Sequence, residues 1–520
     1  MQTRLAIIGG GIGGLSAALS LLRAGFDAHV YEQARTLREV GAGIQVSPNA
    51  SRVLHGLGLA DELAKLGVRP FAHHQRRWDD GRTLLKTPLG DTVVAAFGFP
   101  HYQSHRADLL SMLINAFPTE RLHIGHRMVA FTDYGDSVEA EFENGERIRA
   151  DALIGADGIH STVRQALFGP ENPRFTGCVA YRGLVPAERI KHLNIEVNAQ
   201  MWMGPGKHIV VYYVAGKRLV NVVANIEQSS WTGESWTDRG TVDDLRAAFA
   251  NWDPYLQAII ATIEETFIWG LFDRAPLPRW SVGGVTLLGD ACHPMLPYMA
   301  QGAAQAIEDG VGLTACLAKI GDIPSALAHY EKMRLPRASR IQGMSAANKT
   351  RFHLPDGPTQ KERDAKNGCR RHRLVDQSDH LGLQLRCRRC GRDGRSWLAA
   401  SRVISQSPSF GSLADLSPCP HYVRCTPKAD ISWQPFDVPL CHKRTSPRLI
   451  RSPRRRGRAR IGAPTSPAPL LSSGLWRRRR LLLRAQPQWP RGRCRRGAEK
   501  RDELGPLHSH LQATTGHHTG

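Results

Sequence analysis

Leu5-Ala-Ile-Ile-Gly-Gly-Gly-Ile-Gly-Gly14 is a short apolar run that ends in a cluster of glycines. The run reads as a buried parallel strand, and Gly9, Gly11 and Gly14 fit the spacing G-x-G-x-x-G. Each glycine has its own reason. The first permits a tight turn, the second lets backbone approach a pyrophosphate, and the third lets the next helix lie close on the strand. Residues 15–23 carry apolar side chains at helical spacing. The turn therefore delivers a helix amino end, whose free N–H groups and dipole favour an anion. A second strand, His29-Val-Tyr31, ends at Glu32, 23 residues beyond Gly9. A carboxylate there is placed to accept ribose hydroxyls. Together these predict an α/β fold with a dinucleotide site.

Two later segments repeat the strand-into-turn pattern. Ala152-Leu-Ile-Gly-Ala-Asp157-Gly158 is one, and Val285-Thr-Leu-Leu-Gly289-Asp290 is the other. After Asp290, Pro294 and Pro297 interrupt the backbone, and Gly302 opens a helix predicted over 303–318. An acid at the carboxyl end of a strand, followed by a helix start, is the geometry of a ligand crevice at a sheet edge. Gly310 falls inside that helix, where glycine costs about 1 kcal/mol.

Taken in order, these three blocks resemble the flavin-contacting motifs of class A FAD-dependent aromatic monooxygenases. A fourth segment, His105-Arg106-Ala-Asp-Leu109, resembles their basic segment that reaches the flavin phosphates or ribityl chain. The resemblance implies a Rossmann-like FAD-binding domain with an inserted antiparallel-sheet substrate domain. It implies FAD as cofactor and NADH or NADPH as co-substrate, while the three scattered cysteines of residues 1–365 suggest a reduced, cytoplasmic setting. It also implies cofactor contacts at Gly9, Gly11, Gly14, Glu32, Arg106, Asp157, Gly289, Asp290 and Gly302, with Pro294 lining the face of the flavin where oxygen reacts. In such enzymes the reduced flavin adds O2, and the resulting hydroperoxide transfers one oxygen atom to an activated ring.

Between the second and third blocks the pattern changes. Gln200-Met-Trp-Met203, His208-Ile-Val-Val-Tyr-Tyr-Val214 and Arg218-Leu-Val-Asn-Val-Val-Ala224 read as consecutive strands with glycine turns between them. His208 and Tyr212 are four apart, so they share one face of their strand. The segment resembles the salicylate, 3-hydroxybenzoate and 6-hydroxynicotinate hydroxylases. There the matching His and Tyr bind the substrate and help to deprotonate its hydroxyl. Imidazole is suited to that proton. A buried, satisfied His–Tyr pair in a sheet is the structural alternative. Tyr298 is a further expected substrate contact. The 6-hydroxynicotinate enzymes tend to carry His where Tyr298 and Gln45 stand, and Pro297-Tyr298 is closer to the salicylate 1-monooxygenases. The expected partners are therefore O2 and a small salicylate-like aromatic acid, with 6-hydroxynicotinate as the alternative.

Composition separates the chain into two parts. Residues 1–365 hold 37 Lys+Arg and 38 Asp+Glu, whereas 366–520 hold 32 and 9. The formal charge of +22 therefore belongs to the end of the chain and describes no basic fold. The predicted domains are an FAD-binding part (1–72, 100–174, 268–365), a substrate part (73–99, 175–267) and an Arg-rich tail (366–520). Arg-rich, Pro-interrupted sequence buries too little apolar area to order itself, so disorder is expected there. In the tail 28 Arg outnumber 4 Lys, a mix that a GC-rich gene yields when read out of frame. Resequencing around codons 365–370 tests that reading. A nucleic-acid-binding extension is the competing reading, and the sparse aromatic residues disfavour it. An FAD-binding but inactive protein is a third possibility. No metal site is expected, because Cys387 and Cys390 pair poorly in spacing with Cys419 and Cys425. No apolar run approaches the roughly 20 residues a membrane span needs.

Overall fold

Strand Arg4–Ile8 lies at the centre of a six-stranded sheet, between Ala152–Gly155 on one side and Asp27–Glu32 on the other. Both pairings are parallel, as is the next one outward, Ala152–Gly155 with Val285–Leu287. The strands predicted to end at Gly9, Glu32, Asp157 and Gly289 therefore stand side by side, with their carboxyl ends on one edge. Ser281–Val282 and Leu122–Ile124 complete the sheet. Its strands read as unbroken apolar runs because Leu5, Ile7, Val30, Ile154, Val285 and Leu287 are all sealed in one core.

This computed structural model describes residues 2–37, 42–231 and 239–369. The tail predicted from 366 lies outside the described residues from 370 onward, as do its cysteine pairs. Residues 366–369 belong to the last described helix, Pro358–Cys369.

Helix Ile12–Arg23 follows the glycine turn and packs on helix Gly302–Lys319. Gly310 gains its reason here. A Cβ on it would lie 2.7 Å from the Cα of Ala17, so the two helices approach only because that side chain is missing. A 30-residue helix, Ile323–Phe352, then runs along the parallel sheet. Glu331 on it accepts the backbone N–H groups of Trp280 and Ser281, each at 2.7 Å.

The second large sheet has eight strands, in the order Arg239–Gly240, Thr266–Asp273, Arg174–Pro186, Leu219–Glu227, Lys207–Val214, Ala199–Gly204, Ala72–Arg77, Thr83–Pro88. Its pairings are antiparallel except that of Ala199–Gly204 with Ala72–Arg77. Thr266–Asp273 is hydrogen-bonded into this sheet, which thus reaches beyond residue 267. Alternation along Lys207–Val214 sorts its side chains. Ile209 and Val211 enter a core with Phe249, Trp252 and Leu256, while His208, Val210 and Tyr212 face the opposite way. Among the described residues no helix is long and apolar enough to cross a membrane.

Candidate active site

A cavity of 330 Å³ lies between the carboxyl edge of the parallel sheet and the His208 face of the large sheet. Arg106, Asp290, Pro294, Tyr298 and Gly302 line it together with His208, Tyr212 and Gln45. Residues from the third sequence block and from the inserted sheet thus share one space.

On the parallel-sheet side the glycine turn is closely constrained. A Cβ on Gly9, whose φ is +111°, would lie 2.4 Å from the carbonyl oxygen of Ala156, and one on Gly14 would lie 2.0 Å from that of Gly9. Gly11 differs, because nothing lies within 4 Å of its Cβ position. That open space adjoins helix Ile12–Arg23, whose N-cap Gly11 supplies no side-chain cap. Its first N–H groups are left for an anion. Glu32 accepts Gly10 N at 2.7 Å and Ala34 N at 2.8 Å, one on each carboxylate oxygen. It therefore pins the turn and keeps lone pairs for ribose hydroxyls. Asp157 accepts the N–H groups of Thr162 (2.7 Å) and Val163 (3.1 Å) on Oδ2 and starts helix Thr162–Phe168, while its Oδ1 has no partner. Gly289, at φ +63°, donates its N–H to Asp309 Oδ2 at 3.1 Å, and Asp290 is exposed to the cavity. Gly302 begins a second helix without a side-chain cap. Open Gly11, two uncapped helix starts and an acid at each end fit a dinucleotide flavin. Cys292 is sealed, and burial pushes its thiol well above the ordinary value, as a packed residue requires.

On the other side, His208 is 2 % exposed and both its ring nitrogens are engaged. Nδ1 lies 2.7 Å from Nε2 of His353, and Nε2 lies 3.1 Å from Nδ2 of Asn225, its cross-strand partner. Burial, with His353 alongside, holds His208 well below the usual imidazole value, so it is neutral. Tyr212 sits across from Asn221 in the same register, and burial raises its phenol, which stays protonated. The ring of Tyr298 meets that of His208 edge-on at 5.2 Å between centroids.

Sequence reasoning missed four contributors. Arg182 lines the cavity with its guanidinium 3.7 Å from the centre of the Trp269 ring. Its Nε is buried without a hydrogen-bond partner, and burial pulls its pKa down to about 9. Asn225 and His353 hold His208. Gln342 donates to the carbonyl of Pro294 at 2.9 Å, fastening the cavity loop to the long helix. None carries a motif; they meet the site only through strand register and helix packing. The one available signal was alternation, which sets Arg182 and Asn225 on inward faces of their strands.

These motifs, this paired-sheet fold and this cavity define a class A FAD-dependent aromatic monooxygenase, and the chain belongs to that family: the FAD binding domain family matches residues 2–345. It is 42% identical over 364 residues to the 3-amino-4-hydroxybenzoate 2-monooxygenase of Streptomyces platensis, covering 70% of this chain and 92% of that one. It is 38% identical over 350 residues to the 6-hydroxynicotinate 3-monooxygenase of Pseudomonas fluorescens, covering 66% and 91%. A solved salicylate hydroxylase substrate complex superposes with a TM-score of 0.64 at 25% identity, covering 79% of this chain and 99% of that one. The protein is thus an FAD-dependent oxidoreductase acting on aromatic compounds.

Proposed function

We propose that this enzyme hydroxylates a small, already hydroxylated aromatic carboxylic acid of the salicylate type, using NADH or NADPH and O2. The observation that carries this reading is Arg182. It is a cation lining the cavity, with no carboxylate partner among the described residues, in the same space as His208. A partly desolvated guanidinium is stabilised by a ligand carboxylate, which it can take in a two-pronged hydrogen bond. The substrate ring would lie between that anchor and His208, with its hydroxyl at Nε2.

FAD, when bound, supplies the oxygen-activating chemistry. The protein's own residues orient and prepare the ring. His208 takes the hydroxyl proton at Nε2, and Asn225 donates an N–H to the oxygen left behind. Charge on that oxygen makes the ring electron-rich. Tyr298, Trp269 and Phe352 wall the cavity with apolar surface, which keeps bulk water from the reacting atoms.

Gln45 and Tyr298, where pyridine-hydroxylating relatives tend to carry His, support a benzene ring over a pyridine. A second reading, an amino-hydroxybenzoate, is favoured by the 42% identity to the Streptomyces platensis protein. The test is product analysis with the FAD-loaded protein, NADH and O2. Salicylate, 3-amino-4-hydroxybenzoate and 6-hydroxynicotinate would be compared with their methyl esters. The reading expects hydroxylated product from at least one free acid and little from its ester. NADH oxidation that ignores all three acids would remove it.

A further inference from the structure

We propose that His208, His353 and Glu227 form a proton relay that carries the substrate's hydroxyl proton out of the cavity to the surface. The proposal rests on His208 being the proton acceptor, as set out above.

The path is continuous. His208 Nδ1 lies 2.7 Å from His353 Nε2, and His353 Nδ1 lies 3.0 Å from Glu227 Oε1. Both histidines are sealed, whereas the Glu227 side chain is 45% exposed. His353 is the residue that ends helix Ile323–Phe352, and its carbonyl receives Gly206 N at 3.1 Å from the turn preceding the His208 strand. The long helix is thereby docked where the residue that caps its end completes the path.

The direction follows from the outer end. A carboxylate only accepts, so His353 carries its proton on Nδ1 and presents a lone pair at Nε2. His208 must then donate from Nδ1, which leaves its own lone pair at Nε2. That lone pair meets an Asn225 N–H at 3.1 Å, as it should. Asn225 Oδ1 is buried without a partner, so this amide is not fully satisfied by the protein. A substrate hydroxyl entering here would give its proton to Nε2 and accept the Asn225 N–H on its oxygen.

Each transfer balances. The substrate O–H bond breaks as the His208 Nε2–H bond forms. The proton on His208 Nδ1 moves to His353 Nε2, and that on His353 Nδ1 moves to Glu227, which exchanges with water. No redox change is involved, and the reverse path reprotonates the product. The relay answers a difficulty that burial creates, because an imidazolium at His208 would be desolvated. Passing the charge to a half-exposed carboxylate avoids that. The groups facing the path are the Tyr298 and Phe352 rings and Asn225 at His208, and Lys349 and the Cys178 thiol near His353. Burial raises the Cys178 thiol, so it stays neutral and does not intercept the proton.

Here His353 and Glu227 are positioning residues, and the test must read the proton. The FAD-loaded full chain, without NADH, is mixed rapidly with 5-nitrosalicylate, whose phenolate absorbs visible light. The parent should develop phenolate on binding. His353→Gln and Glu227→Ala should slow this at least about tenfold while ligand affinity stays within about twofold. Added formate should restore the rate in Glu227→Ala, which a purely structural role would not allow. Because Glu227 is at the surface, its variant stays informative even if His353→Gln fails to fold. Phenolate lost in His208→Ala but formed at the parent rate in the other two overturns the relay alone. Phenolate formed unchanged in His208→Ala overturns the base assignment and the relay with it.

Discussion

Arg334 and Asp309 are joined by a buried 2.8 Å contact between Nε and Oδ1, and the other oxygen of that carboxylate holds the cavity loop. Asp309 Oδ2 receives Gly289 N at 3.1 Å and lies 2.6 Å from His293 Nε2. Arg334 Nη1 also reaches Glu308 at 2.7 Å, and Arg337 bonds the same carboxylate at 2.8 Å. A residue of the long helix thus fixes, through one aspartate, the Gly289 turn at the carboxyl edge of the parallel sheet. Removing one member of a buried ionic group leaves the others charged and unpaired, at a cost of about 3–5 kcal/mol. Arg334→Met is therefore expected to lower stability by about that amount and to weaken FAD retention. Urea denaturation read by flavin fluorescence measures both. A loss below about 1 kcal/mol would mean that the network does not support the fold.

The same network predicts an acid limb in stability. Burial alone would raise the Glu308 carboxyl, but Arg334 and Arg337 outweigh it and hold it down to about 2. In the unfolded chain it titrates near 4.5. Its folded value is depressed, so its contribution is complete above about 4.5 and is lost as pH falls towards 2. Asp309 is lowered in the same direction, where His293 and Arg334 overcome burial. Glu308→Gln should be less stable than the parent at neutral pH, yet lose less between pH 4.5 and 2. Parallel melting-temperature curves for the two proteins across that window would remove the assignment.

Much of this architecture was legible because parallel strands announce themselves twice, as apolar runs and as the turns that end them. Leu5–Ile8, Ala152–Gly155 and Val285–Leu287 are short, but each is followed by a glycine or acid that a crevice requires. That His208 and Tyr212 share one strand face was legible through periodicity, whereas their expected role came from the resemblance alone. Arg182, Asn225 and His353 were not, because what gives them a role is the neighbour that register or docking brings. Asn225 meets His208 through the pairing of two strands, and His353 arrives from 145 residues away. Glu32 is expected from the sequence to meet ribose; what the structure shows is that its two backbone bonds shape the turn. Gly310 looked like a tolerated defect until the approach of Ala17 explained it.

Two glycines of one motif should fail differently. A methyl group on Gly14 meets the carbonyl oxygen of Gly9 at 2.0 Å, so Gly14→Ala must move the helix or the turn. One on Gly11 meets no protein atom within 4 Å and intrudes only where a phosphate would approach. Gly14→Ala should lower the melting temperature of the FAD-free protein, whereas Gly11→Ala should leave it within about 2 °C, a shift worth less than about 1 kcal/mol. FAD affinity should fall in both. Calorimetry on FAD-free and FAD-loaded samples separates the two effects, and tight FAD binding by Gly11→Ala would show that the cofactor approaches elsewhere.

Ring choice should respond to Gln45 and Tyr298. Both line the cavity, and Tyr298 faces His208 edge-on at 5.2 Å. Burial raises the Tyr298 phenol, so it is present as a neutral hydroxyl group. A histidine at each position would instead offer ring nitrogens, one donor and one acceptor in the neutral form. A pyridine-type ring, with its own nitrogen, gains partners from that exchange, whereas a benzene ring gains none. A site built to hydrogen-bond a substrate group discriminates far more strongly than one that only fits its shape. The double variant Gln45→His, Tyr298→His is therefore expected to move the ratio of kcat/KM for 6-hydroxynicotinate over salicylate upward by at least about tenfold, or about 1.4 kcal/mol. Most of the change should come from the pyridine substrate, because both substrates carry the carboxylate and hydroxyl proposed to meet Arg182 and His208, which the variant leaves in place. An unchanged ratio, with FAD still bound and Arg182 intact, would show that ring identity is set by other walls of the cavity.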